Sequence, residues 1–144
     1  MNAPNTTVWS PSSSFLRLGL GWAGEALRLL LQNTGSSAMS VLSHVAAGGA
    51  PHLDWFEVFL EEPGGLVRRL RFFVDRDESA AVRVTLAPGA QLTHDINLAF
   101  WAAQPVNGAA PLPPGPLRVH AEYRVDAAEA GSSWSGTLVT PVLT

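Results

Sequence analysis

The 144-residue chain contains no cysteine, which excludes disulfides, thiolate metal sites and a cysteine nucleophile. Lysine is also absent, so all nine basic residues are arginine. Charged residues make up only 15% of the chain, and the net charge is −3. Nucleic acids and anionic membranes are bound by clustered cations. We therefore expect neither a nucleic-acid partner nor a membrane partner.

Long apolar runs are missing as well. The longest run, around residues 29–31, is far shorter than the ~20 residues that a membrane-spanning helix needs. Residues 1–14 have neither the basic start nor the apolar segment of a secretory signal peptide. We expect a cytoplasmic location, a flexible N-terminal leader over residues 1–14, and a single domain over residues 15–144.

Apolar residues, glycine and proline are plentiful. The chain is 47% hydrophobic and has 13 glycines and 11 prolines, which argues against a helical bundle. Apolar residues alternate with polar ones, as in strands, over residues 15–22, 39–45, 66–74, 82–86, 92–100, 117–125 and 134–142. Residues 53–60 predict a further strand that is apolar on both faces. We predict an all-β fold, a single antiparallel immunoglobulin-like β-sandwich of seven to nine strands.

Two segments are harder to assign. Residues 25–32 fit the second strand of a hairpin that turns at residues 23–25, but their leucines, arginine and glutamate also suit a helix. Residues 104–116 contain five prolines and predict a surface connection with polyproline character. Residues 126–133 predict the last loop.

Three motifs in the second half of the chain occur in a familiar order: LAPG at residues 86–89, PGPLRVHAEY at residues 114–123, and WSGTL at residues 134–138. This order resembles bacterial immunoglobulin-like or fibronectin-III-like sandwiches, over roughly residues 27–142. The resemblance implies the fold. The chain is also weakly similar to the intracellular proteinase inhibitor type, a cysteine-free sandwich, although that family's tyrosine two residues after Gly115 is Leu117 here.

Histidines paired with carboxylates are the candidates for a metal or acid–base site. His120 and Glu122 form the best local pair, because alternate residues of a strand project to one side about 7 Å apart. Arg118 and Arg124 share that face, so cross-strand ion pairing explains the pattern equally well. His44, His94 and Asp95 form no recognisable motif.

Two further patterns have simpler explanations. His52 and Asp54 share the spacing of the first pair, but they lie where a loop enters a strand and capping is the commoner role. Asp75, Asp77 and Glu78 lack the later glycine and distal glutamate of a calcium loop. We predict no catalytic residue, no metal site and no cofactor, and therefore no enzyme.

Aromatic excess is the most informative feature. Five tryptophans are more than a small sandwich hides, and the strand over residues 53–60 is apolar on both faces. We predict a partner-binding face made of Trp55, Phe59, Phe72, Phe73 and Trp101. The alternative is that the segment over residues 102–116 folds over that face.

These features predict a non-enzymatic protein-interaction module. We expect it to form a homo-oligomer, or to dock in a larger assembly, through the aromatic sheet face. The alternative is a proteinase inhibitor or regulator that acts through the proline-rich loop over residues 104–116, because a preorganised loop loses little entropy on binding.

Overall fold

The computed structural model describes residues 6–47, 50–72 and 81–144. These residues form eleven strands: β1 (Thr7–Trp9), β2 (Leu16–Ala23), β3 (Ala26–Asn33), β4 (Met39–Ala47), β5 (Ala50–His52), β6 (Phe56–Glu61), β7 (Val67–Leu70), β8 (Ala81–Leu86), β9 (Gln91–Ile96), β10 (Arg118–Val125) and β11 (Gly136–Val139). They also form two short helices, α1 (Leu98–Ala102) and α2 (Ala127–Ala130), and a 3-10 turn (Pro105–Asn107). In these ranges we find no helix with the length and hydropathy of a membrane span.

The strands form three antiparallel sheets. The first sheet has the order β1-β2-β3-β9, the second β11-β10-β6-β7, and the third β5-β4-β8. The predicted all-β class is therefore confirmed. The described part of the chain has more strands than the seven to nine predicted, because β1 and β5, each three residues long, escaped the periodicity analysis.

The hairpin of β2 and β3 settles whether residues 25–32 form a strand or a helix. Ala23 lies opposite Ala26, so the turn has two residues, and Gly24 supplies the positive φ of 63° that such a turn needs. Pairing with β2 on one side and β9 on the other outweighs the helix propensity of the leucines and arginine. The predicted hairpin is confirmed.

The core lies between the second sheet and the other two, which gives a β-sandwich-like arrangement. The Phe56 ring in β6 contacts His94 of β9 and Tyr123 of β10, with ring centroids 5.5 and 4.7 Å apart. The buried Tyr123 hydroxyl donates a hydrogen bond to the Leu42 carbonyl in β4 (2.7 Å). Burial raises the pKa of this phenol above its ordinary value, so it stays a neutral donor.

Several predicted boundaries were wrong. The strand predicted over residues 92–100 ends at Ile96, because Asn97 caps α1 by accepting a hydrogen bond from the Phe100 N–H (3.0 Å). The strand predicted over residues 53–60 begins only at Phe56, and the last loop contains α2. The strand predicted over residues 66–74 ends at Leu70, and residues 73–74 lie outside the described residues.

The predicted leader over residues 1–14 contains β1, which pairs with the edge of β2. Trp9 lies across Gly19, where an added Cβ would come within 2.7 Å of the indole ring. The Arg17 guanidinium lies 4.0 Å from the Trp9 ring centroid, and its Nε donates to Gln32 (2.7 Å). Part of the leader therefore belongs to the first sheet.

Candidate functional site

The solvent side of the second sheet, here called the outer face, contains one of the predicted partner-binding residues. Alternation along β10 turns Val119, Ala121, Tyr123 and Val125 into the core and Arg118, His120, Glu122 and Arg124 outward. β6 presents Glu57, Phe59 and Glu61 on the same side, because His120 lies opposite Phe59. The period-two pattern that predicted the strand therefore also predicts which side chains form this face.

A stacked aromatic pair occupies the middle of the outer face. The rings of Phe59 and His120 are 4.7 Å apart and nearly parallel, with an interplanar angle of 6°. Both residues are half-buried. Two exposed valines lie on the same face: Val67 of β7 (54% exposed) is opposite Glu61, and Val139 of β11 (43% exposed) is opposite Glu122. The side chains of Phe59, His120 and the two valines, one from each strand, are here called the apolar strip.

Charges of both signs surround this apolar strip. Arg118 pairs with Glu61 (2.8 Å), and Arg69 pairs with Glu57. Hydrogen bonds that the Arg69 guanidinium donates to Glu57 raise the pKa of Arg69 above its ordinary value, so the cation persists at every accessible pH. The positive and negative groups are nearly balanced, and the face has no strong net charge.

The His120 and Glu122 pair does not assemble a metal site. His120 stacks on Phe59, while Glu122 lies between Glu57 and Val139 in the sheet register. Across the described ranges, we find no group of three or more histidines and carboxylates able to hold a metal ion. Asp75, Asp77 and Glu78, whose pattern did not fit a calcium loop, lie outside the described residues.

Of the other predicted partner-binding residues, Trp55 lies at one end of the outer face, where it lines a cavity with Glu57 and Glu122, and Phe72 and Trp101 lie elsewhere. Trp55 is buried, and its indole N–H donates to Glu129 of α2 (2.9 Å). Phe72 stacks on His52 (4.7 Å), and Trp101 of α1 lies 5.9 Å from the same phenyl ring. Phe73 lies outside the described residues.

The segment from α1 to Pro111 packs beside β7. The Arg68 guanidinium donates hydrogen bonds to the carbonyl groups of Ala102 (2.8 Å), Asn107 (2.8 Å), Ala110 (3.0 Å) and Pro111 (3.4 Å). Trp101, at the start of this segment, is only 3% exposed. Of the four predicted aromatic residues that the structure describes, Phe59 lies in the middle of the outer face, Trp55 is buried at one end of it, and Phe72 and Trp101 lie away from it.

Sequence reasoning missed Arg68 and Asn107. Each contacts residues more than 30 positions away along the chain, so no local pattern marks them. The two exposed valines were weakly predictable as part of the outer face, because both occupy outward positions of strands next to β6 or β10.

A second cluster joins the third sheet to the first. The Ser43 hydroxyl lies 2.9 Å from His44 Nδ1 and 3.1 Å from His94 Nε2, at a bulge in β4. Ser43 is 1% exposed, so its oxygen is closed to a substrate. The cluster connects the two sheets by hydrogen bonds, and Ser43 does not act in it as a nucleophile with a histidine base.

The burial of His94 in this cluster predicts that the folded protein loses stability in acid. Burial, and then the neighbouring His44, lower the pKa of His94 below its ordinary value. Between the folded pKa and the ordinary value near 6.5, the unfolded chain binds more protons, so the free energy of unfolding falls as the pH drops through that range. In urea titrations between pH 7.5 and pH 5, we expect the free energy of unfolding of His94→Gln to change less with pH than that of the wild type. An unchanged slope in that variant would show that His94 does not cause it.

The chain was compared with protein-family models, with curated proteins and with solved structures, and none of them matches it.

Proposed function

We propose that this protein is a non-enzymatic interaction module that associates with a second copy of itself through the outer face of an immunoglobulin-like sandwich. The observation that carries the proposal is the half-buried Phe59–His120 stack, on a face that also bears two exposed valines. Exposed apolar strips bounded by polar residues are typical of protein-binding surfaces.

The charges of the outer face suit self-association. A twofold interface brings the same surface together from both copies, so a face with one sign of charge would repel itself. Here Arg118 with Glu61, and Arg69 with Glu57, already neutralise one another within each copy. In a dimer, an arginine of one copy can instead pair with a glutamate of the other copy. Such pairs would favour one relative position of the two faces.

The arrangement of side chains on the outer face resembles that of a specific interface. Specific interfaces bury about 800 Å² on each partner, and their centres are apolar and aromatic while their rims are polar. The outer face follows this arrangement, with Phe59 and His120 in the middle and charged side chains around them.

Phe59→Asp tests the proposal. A carboxylate at the centre of the apolar strip would be desolvated on association, and we expect it to weaken self-association at least 100-fold, about 2.7 kcal/mol. Sedimentation velocity of the wild type and the variant over the same concentration range measures the change. Circular dichroism and urea titration show whether the variant monomer is folded.

Phe15→Asp is the matched control. Phe15 is 68% exposed and precedes β2 in the first sheet, so the same chemical change is made on a different sheet. We expect this variant to associate as the wild type does. Equal association of all three proteins would exclude the outer face as the interface.

A second candidate function is inhibition or regulation of a proteinase through the proline-rich loop over residues 104–116. The observation in its favour is the set of hydrogen bonds from Arg68, which fixes the loop at several carbonyl groups. Val106, in the 3-10 turn, is 50% exposed on this fixed loop. A loop held in one conformation loses little entropy when a proteinase binds it.

This candidate predicts inhibition that depends on the exposed residue. The wild type should inhibit at least one member of a panel of serine and metalloproteinases at micromolar concentration, and Val106→Asp should weaken that inhibition about 10-fold, or 1.4 kcal/mol. Full activity of every proteinase with the wild-type protein would reject this function.

A further inference from the structure

An open pocket lies at one end of the first sheet. It is bounded by the β2–β3 hairpin, by the start of α1 and by the last part of the proline-rich segment, and its volume is about 440 Å³. Small-molecule pockets typically measure about 300–1,000 Å³. The pocket is distinct from the outer face, which belongs to the second sheet.

The walls of the pocket are mainly apolar. Leu98 is buried, and the other large apolar residues are half-buried: Trp22, Leu112 and Leu117. These residues come from β2, α1 and the segment before β10, so three separate parts of the chain meet around one cavity. Half-buried leucines and an indole present surface that an apolar ligand can cover.

The polar groups of the pocket have one sign of charge. Glu25 lies in the two-residue turn between β2 and β3, and its carboxylate has no hydrogen bond or ion pair with any residue that the structure describes. Asn97 also lines the pocket, but its Oδ1 already accepts the Phe100 N–H (3.0 Å). Among the residues that the structure describes, no arginine or histidine lines it.

From this combination we infer that the pocket binds a small organic cation, an ammonium group carried on an aromatic or branched aliphatic body. The carboxylate of Glu25 pairs with the ammonium group, and the Trp22 indole and the leucines contact the apolar body. Anionic ligands are disfavoured because the one charged lining group would repel them. The inference does not depend on the proposed self-association.

Two probes of similar size and opposite charge test the inference. 2-Phenylethylammonium and 3-phenylpropionate are titrated separately into the full ¹⁵N-labelled chain, and amide and indole shifts are followed by NMR. We expect saturable shifts with the ammonium probe, centred on Trp22, Glu25 and Leu112. We expect the carboxylate probe to bind at least about 10-fold more weakly, since a tenfold change corresponds to about 1.4 kcal/mol.

Two substitutions test separately how the charge and the apolar wall of the pocket contribute to ligand binding. Glu25→Gln keeps the side-chain size at an exposed turn, so the fold is retained, and we expect it to weaken binding of the ammonium probe about 10-fold. Leu112→Ala should also weaken binding. Glu122→Gln, on the outer face of the second sheet, is the matched control and should bind as the wild type does.

Three results would overturn the inference. The first is no saturable binding of the ammonium probe at millimolar concentration. The second is equal affinity of the wild type and Glu25→Gln, and the third is a shift pattern centred outside the pocket. Because these titrations are read at the first sheet, their failure would leave the association experiment on Phe59 unaffected.

Discussion

We expect Asn107→Ala to lower the free energy of unfolding by about 3 kcal/mol. Asn107 is 5% exposed, and its Nδ2 donates to the carbonyl groups of Arg71 (2.7 Å) and Trp101 (2.7 Å). Its Oδ1 accepts the Arg71 N–H (2.8 Å). Alanine would leave all three backbone groups without these partners, at a cost of about 1 kcal/mol or more for each.

The same variant should also loosen the segment that packs beside β7. The carboxamide accepts the Arg71 N–H and donates to the Arg71 carbonyl group, as the backbone of a neighbouring strand would. These two bonds fix the segment at the end of β7. With it removed, we expect the buried Trp101 indole to become more accessible to a fluorescence quencher. Urea titration measures the stability, and the indole signal of Trp101 in NMR reports its exposure.

Asn97→Ala is the matched control for this substitution. Asn97 is exposed and caps α1 with one hydrogen bond, so its loss should cost about 1 kcal/mol. If Asn107→Ala were no more destabilising than Asn97→Ala, the role assigned to the Asn107 carboxamide would be wrong.

Asn33→Ala should have an effect of similar size, about 3 kcal/mol, for a different structural reason. Asn33 ends β3 and is fully buried. Its Nδ2 donates to the carbonyl groups of Ser37 (2.8 Å) and Leu86 (2.9 Å), and its Oδ1 accepts the Gly35 N–H (2.9 Å). Because Leu86 ends β8, this one side chain ties the first sheet to the third.

The Asn33 variants should differ in a defined order. Asn33→Asp keeps the acceptor for Gly35 but turns a buried negative charge toward two carbonyl groups, so we expect it to be more destabilising than Asn33→Ala. Hydrogen exchange should show loss of protection at Gly35 in Asn33→Ala, which lacks the acceptor for this N–H. If aspartate were tolerated as well as alanine, the two donor hydrogen bonds would not have the importance assigned to them.

Periodicity predicted the fold well where a strand has one buried face. In β10, polar and apolar residues alternate without a break, and the structure gives the same strand within one residue. In β2 and β3, leucines alternate with glycine or polar residues over most of each strand, and the hairpin formed as predicted. The all-β class follows from these strands.

Periodicity failed where a local hydrogen bond or a distant partner decides the structure. Asn97 ends β9 and starts α1 with a single side-chain bond, although the apolar alternation continues to Phe100. β1 has only three residues, too few for a period of two to show, and it pairs with the edge of β2.

The candidate site was predictable only in part. Phe59 and His120 were each recognised, as an aromatic partner-binding residue and as half of a histidine–carboxylate pair, but nothing local indicated that they stack. Their contact depends on the register of β6 against β10, which are about 60 residues apart along the chain. The contact of Trp55 with α2, and that of Phe72 with Trp101 of α1, likewise join residues that are distant along the chain.

Self-association through the outer face is the central claim, and the absolute mass in solution tests it most directly. Size-exclusion chromatography with multi-angle light scattering over a tenfold concentration range should give a multiple of the 15.3 kDa chain mass for the wild type. Phe59→Asp should give the monomer mass under the same conditions. A wild-type mass of 15.3 kDa at every concentration would contradict the claim.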